Sequence, residues 1–249
     1  MSSPLHLPWT PSLILAESIA ASLIVVVISA ARKFRNIEDA LGFYGVYHRE
    51  PLNQLIHFFG VPGIIWSAMI VYAHLPLPWW GSQWKISIPG APSHPLSWAA
   101  VMFLFYITFY LSVDPFGGTL YAPVVYLMYT TAVNWTRSDQ ELQHTKKQTS
   151  SQVIATSWIG TGRVLKIAAL IHIVSWYVQI HPGHAIIEGA KPALLDSLGG
   201  ALTSAPLFAF YEGLWFLGFN KQLQERTLQL VAENTARLCA EGATMRACS

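Results

Sequence analysis

Long apolar stretches, separated by shorter polar ones, fill most of this chain. The first is Pro11–Ala31, followed at once by Arg32, Lys33 and Arg35. At about 20 residues such a stretch is long enough to cross a bilayer as a helix. Residues 1–10 hold no Lys or Arg, so the charged leader of a cleaved signal peptide is missing and an uncleaved anchor is expected. The basic cluster behind it directs its C-terminal end to the cytosol. Further apolar stretches cover residues 58–75, 97–113, 119–135, about 164–180 and 197–219, the last with Pro206 and Glu212 inside it.

The segments between them carry helix and turn signals. In residues 37–48, Leu41, Tyr44 and His48 recur at i, i+3 and i+7, the period of a short amphipathic helix. Pro51 suits a first helical turn, which places Asn53 and His57 one above the other at i and i+4. Residues 75–94 are rich in Pro and Trp and read as an interfacial loop. Asp114-Pro115-Phe116-Gly117-Gly118 is a turn that joins the third and fourth stretches as a helical hairpin. Residues 136–152 are polar and belong outside lipid, and Gly160 and Gly162 mark a break before the fifth stretch. Beyond residue 220 the pattern is a polar helix with Leu223, Leu230 and Leu238 on one side, then a loose end.

The expected fold is therefore all-α: a polytopic membrane helical bundle with about six spans. Residues 1–36 form an extension with a membrane anchor, 37–219 the bundle, and 220–249 a polar helix and tail. Four expected spans separate residue 57 from residue 181, and an even number returns the chain to the same face. One feature opposes this topology. It puts 136–152 on the side away from 32–57, although Arg137, Lys146 and Lys147 favour the cytosol.

Composition supports a membrane setting. The chain is 53% hydrophobic and 11% charged, against about 25% charged in soluble domains. Mean hydropathy is +0.38. The net charge of +2 and the absence of a basic run argue against nucleic-acid binding. Cys239 and Cys248 form no CxxC pair, so neither a disulfide framework nor a zinc knuckle follows from their spacing.

Two polar clusters sit beside apolar sequence, where ionisable groups are expensive and default to function. One holds His48, Asn53 and His57; the other runs His181-Pro182-Gly183-His184-Ala185-Ile186-Ile187-Glu188. A helix starting near Gly183 sets His184 and Glu188 on one face, and Pro182-Gly183 bends the chain away from His181. Imidazoles suit iron, zinc, copper and nickel, and two His with one carboxylate suit non-haem Fe(II). Asn53 is placed to hold an imidazole N–H from behind the metal. Glu188 has a second option, pairing with Lys191 three residues on. His6, His74, His94, His144 and His172 read as ordinary interfacial or structural histidines. The chain has one HxxH and neither HxxxH nor HxxHH, unlike the membrane desaturases and hydroxylases. It also lacks GxSxG, a Walker loop and a Rossmann glycine set.

Phe43-Tyr44-Gly45-Val46-Tyr47-His48-Arg49-Glu50-Pro51-Leu52-Asn53-Gln54-Leu55-Ile56-His57, followed by Val61-Pro62, resembles the first signature of the endoplasmic-reticulum 2-hydroxy-fatty-acid dioxygenases of phytosphingosine degradation. Gly183-His184, Glu188 and Pro192-Ala193-Leu194-Leu195-Asp196-Ser197-Leu198 resemble the second signature, and Ala205-Pro206, Glu212 and Leu217-Gly218-Phe219 also fit. The likeness runs from about residue 40 to 220. The basic pair usual after the Glu is Gly189-Ala190-Lys191 here, which leaves one positive charge. The resemblance implies an Fe(II)-dependent enzyme of the endoplasmic-reticulum membrane. It would use O2 to convert a 2-hydroxy fatty acid to the acid one carbon shorter, with the acyl tail among the spans. His48, His57 and His184 are then the expected metal ligands. His181 and Glu188 are candidates for a ligand or a supporting role, and Lys191 for the substrate carboxylate. The alternatives are the same scaffold acting on another lipid or specialised metabolite, and a membrane protein stapled by a structural metal.

Overall fold

The structure, a computed structural model, describes residues 11–31, 34, 36–77, 84–149, 160–190, 192, 198–242 and 248. The helices are α1 (Pro11–Ala31), α2 (Ile37–Gly45), α3 (Pro51–Ala73), α4 (Trp98–Val113), α5 (Pro115–Thr149), α6 (Arg163–Val178), α7 (Leu198–Phe216) and α8 (Lys221–Ala240). A π-helical segment, Gln179–Glu188, continues α6. The chain divides into two compact units. One draws on residues up to Ile24, Ile65–Phe105 and Pro123–His172; the other on Val25–Ile64, Tyr106–Ala122 and the chain from Ile173 onward.

Two stretches among the described residues are long and apolar enough to cross a membrane, Pro51–Ala73 and Arg163–Glu188. Leu13–Val26 and Trp98–Val113 are apolar but shorter. Of the six expected spans, two meet both conditions among the described residues. Leu170, Ile173, Val174 and Tyr177 of α6 are exposed apolar side chains, as on a helix that faces something other than water.

The all-α expectation needs a correction in residues 75–94. Strands β1 (Lys85–Ile88) and β2 (Ala91–Pro95) form an antiparallel hairpin, Lys85 against Pro95 and Ile86 against His94. Its turn is Pro89-Gly90, with Gly90 at φ 77°, a conformation that needs glycine. The alternation of Lys85, Ile86, Ser87 and Ile88 before a Pro-Gly turn was the available signal. His94 lies in this hairpin's unit and bonds the Pro92 carbonyl at 2.7 Å and the Tyr129 hydroxyl at 2.8 Å.

The expected polar segment after residue 135 does not leave the helix: α5 runs on to Thr149. Asp114 alone connects α4 to α5. Its carboxylate accepts from the N–H groups of Phe116 and Gly117 at 3.2 and 2.9 Å, and Pro115 takes the first helical position. Within the second unit Tyr110 of α4 meets Tyr121 of α5, with ring centroids 5.6 Å apart.

In α8 the buried side chains are Thr227, Val231 and Thr235, rather than the leucines that the pattern puts on the packed side. The helix docks on α2, where a Cβ at Gly45 would lie 2.6 Å from Val231 Cγ2. Only glycine permits that approach. Arg226 pairs with Glu38 at 3.3 Å across the same contact. Cys239 and Cys248 form a disulfide, which their spacing did not suggest.

Candidate metal centre

The second unit gathers His48, His57 and His184, and builds each from a different local element. Asn36 caps α2 by accepting from the Asp39 N–H at 2.8 Å. The helix ends at Gly45, and the turn after it delivers His48. Its ring lies flat on Tyr44, with centroids 3.8 Å apart and planes 8° apart. Gln54 holds the His48 carbonyl at 3.0 Å. His57 rises from the second turn of α3. His184 comes from the π segment, which contains Pro182, a residue without the N–H that a regular α turn would use. The chain widens into π turns instead of restarting at Gly183, and ends at Gly189 with φ 64°. A Cβ at Gly183 would lie 2.6 Å from Asn53 Oδ1 and 3.6 Å from His57 Cε1, so glycine there lets this segment rest against α3.

The three rings meet. Centroids are 4.3 Å apart for His48 and His57, 4.8 Å for His48 and His184, and 4.9 Å for His57 and His184. One ligand nitrogen from each lies within 4.8 Å of the others, and all three side chains are buried. His48 Nδ1 donates to the Tyr44 carbonyl and His57 Nδ1 to the Asn53 carbonyl, both at 2.9 Å. Each ring thereby takes the tautomer whose Nε2 carries a lone pair, the arrangement usual for a metal-binding imidazole. His48 Nε2 and His184 Nδ1 are buried without a partner. Burial, then the imidazoles of His57 and His184, push His48 well below the ordinary histidine pKa, and the bond to the Tyr44 carbonyl opposes this. Neutral imidazoles packed together with unfilled lone pairs fit a cation between them, and an all-imidazole set accepts several first-row metals.

The other expected site residues take different places. Glu188 is buried, but its carboxylate is spent on α3: Oε1 accepts from the Arg49 N–H at 2.9 Å, and Oε2 from the Glu50 N–H at 3.1 Å and Asn53 Nδ2 at 2.9 Å. It caps the helix that carries His57, from well over a hundred residues away, and the helix N-terminus favours its charge. Asn53 does support an imidazole, but through its backbone carbonyl; its side chain serves Glu188. His181 is exposed and stacks on Tyr177 at 5.6 Å, outside the cluster. Lys191 and the side chain of His144 lie outside the described residues. His74 bonds the Ile70 carbonyl at 2.8 Å, and His172 meets Ser67 at 2.9 Å, both in structural roles.

Residues 34–214 match the family described as Mpo1-like, 2-hydroxy-palmitic acid dioxygenase Mpo1-like. The chain belongs to this family. It is 29% identical over 202 residues to the 2-hydroxy-palmitic acid dioxygenase MPO1 of Saccharomyces cerevisiae, covering 80% of this chain and 93% of the yeast protein. No solved structure matches the chain. The matched region of this Mpo1-like protein contains all three converging histidines, and also the Phe208 and Glu212 positions of α7. Phe208 closes the centre on one side, 4.8 Å from the Tyr44 ring and 6.1 Å from His48.

Proposed function

We propose that this protein is an Fe(II)-dependent dioxygenase of the endoplasmic-reticulum membrane that shortens 2-hydroxy fatty acids by one carbon, with loss of the carboxyl carbon. The observation that carries this is the buried triad His48, His57 and His184, two of whose rings are held by their own helical carbonyls with the second nitrogen turned inward. Those three imidazoles would hold the iron. Iron held there would supply the chemistry that brings O2 to react with a 2-hydroxy-carboxylate. Around it the chain's own residues do the positioning. Tyr44 and Phe208 wall the centre and exclude water. Glu188 and Gln54 fix the start of α3 and the His48 backbone, so that the ring orientations are set before substrate arrives. The family description and the yeast relative supply the substrate class, and the two long apolar helices suit a lipid substrate drawn from the bilayer.

The test uses the full chain purified in mild detergent. Stoichiometric iron, O2 uptake on addition of 2-hydroxyhexadecanoic acid and release of pentadecanoic acid are expected. His48→Ala, His57→Ala and His184→Ala should each lose the metal and the O2 uptake. Stoichiometric zinc with no O2 uptake would instead support a structural staple and overturn the enzymatic proposal.

A further inference from the structure

Glu212 lies one turn before the C-terminal end of α7, and neither of its carboxyl oxygens has a hydrogen-bond partner although both are buried. The indole Nε1 of Trp215, three residues on, is buried and unpartnered as well. A buried carboxyl with nothing to bond costs several kcal/mol, and such groups mark places where a ligand completes the structure. Tyr211, beside Glu212 in sequence, is in contrast satisfied by Asp114.

The same face of α7 looks onto the histidine centre. Phe208, one turn before Glu212, is the side chain that packs on Tyr44 and His48, and the Trp215 ring lies 6.1 Å from Phe208. A Cβ at Gly213 would lie 2.7 Å from Phe58, the neighbour of His57. The Glu212 carboxyl is within electrostatic reach of both Tyr44 and Glu188. Glu188 already accepts three hydrogen bonds and has no need of Glu212. This face of α7 therefore holds two open polar groups: an acceptor on Glu212, available from a carboxyl oxygen in either protonation state, and a donor-only N–H on Trp215.

A 2-hydroxy acid complements this pair and a plain fatty acid does not. Its hydroxyl donates and its carboxylate accepts, whereas an ionised fatty acid only accepts. We propose that Glu212 accepts from the 2-hydroxyl and Trp215 donates to the carboxylate, so that α7 selects 2-hydroxy acids over unsubstituted ones; this rests on the substrate class proposed above. A site built to bond a hydroxyl discriminates strongly because the analogue leaves its buried groups unpaired.

The experiment measures binding of 2-hydroxyhexadecanoate and of hexadecanoate to the iron-loaded full chain, by calorimetry without O2, together with iron content and KM and kcat in air. Wild type is expected to prefer the 2-hydroxy acid. Glu212→Ala should lower that preference by about tenfold or more, the scale of one lost hydrogen bond to a charged group, with iron retained. Glu212→Gln keeps an acceptor and should recover much of the preference. Trp215→Phe should weaken both acids alike. If Glu212→Ala does not fold, the Gln variant decides, by a preference above or below that of a variant with Met at the same position. An unchanged preference in iron-loaded Glu212→Ala overturns the inference while leaving the enzymatic assignment intact. Loss of iron in that variant overturns it too, since Glu212 would then act through the metal centre. A wild-type protein that binds iron but shows no preference for the 2-hydroxy acid removes the proposed substrate along with it.

Discussion

Replacing Glu188 tests whether the metal centre depends on a long-range helix cap. In Glu188→Ala three donors lose their acceptor: the N–H groups of Arg49 and Glu50, and Asn53 Nδ2. Arg49 and Glu50 are exposed residues, so water can take over part of those two bonds, at about 1 kcal/mol each. Asn53 is fully buried, and its stranded amide costs about 1–3 kcal/mol. The sum is about 3–5 kcal/mol, which for a chain of this size lowers Tm by about 6–20 °C. Glu188→Gln keeps one acceptor oxygen but turns an NH2 toward the same donors, and should lose a smaller part of this. Because the cap sets the first turns of α3, the His57 ring and the His48 backbone shift with it. A fall in iron affinity of about 10–100-fold is expected, the usual loss when a support behind a ligand is removed. Differential scanning fluorimetry in detergent and iron content, measured side by side on wild type and both variants, check this. A Glu188→Ala protein within about 2 °C of wild type, carrying full iron, would refute the capping argument. A Glu188→Ala protein of wild-type Tm that lacks iron would instead make Glu188 a direct ligand.

Gly183→Ala places a methyl 2.6 Å from Asn53 Oδ1, so the π segment must withdraw from α3; metal content should fall while helix content by circular dichroism stays unchanged. His74→Ala and His94→Ala lie in the other unit and should keep full iron, but each loses buried hydrogen bonds and should fall by about 1–3 kcal/mol in stability. For the metal-free protein, the lowered pKa of His48 means that the unfolded chain takes up its proton first as pH falls through the ordinary value near 6.5. The stability contributed by His48 is therefore fully present above that pH and is lost progressively below it; Tm of iron-free wild type should decline from pH 7 to 5, more steeply than that of His48→Gln, and an equal slope in both would count against a buried neutral His48.

Much of the helical framework was legible because it is written locally. Hydropathy runs, Pro51 at a helix start and Asp114-Pro115 at another, and the glycines at 160 and 162 each act within a few residues of where they stand. His48, His57 and His184 could be singled out for the same reason, since imidazoles beside apolar runs are unusual wherever the chain goes. The β hairpin is faint in the sequence because nine strand residues of weak alternation compete poorly with the Pro and Trp that surround them. Pro182 removes one helical N–H, yet whether the chain broke or widened into π turns there depended on what it packed against. Glu188 shows the boundary most clearly. From sequence its possible partners were neighbours, His184 or Lys191, because those are the residues that spacing brings near. The partners it has are two backbone N–H groups and Asn53, donors that leave no mark in a sequence and lie 135 to 139 residues away. The sequence by itself marked the candidate histidines and most of the helices near them. Only the tertiary structure decided what each carboxylate does, because its energy is set by the donors that packing delivers to it, and Glu188 received three where Glu212 received none.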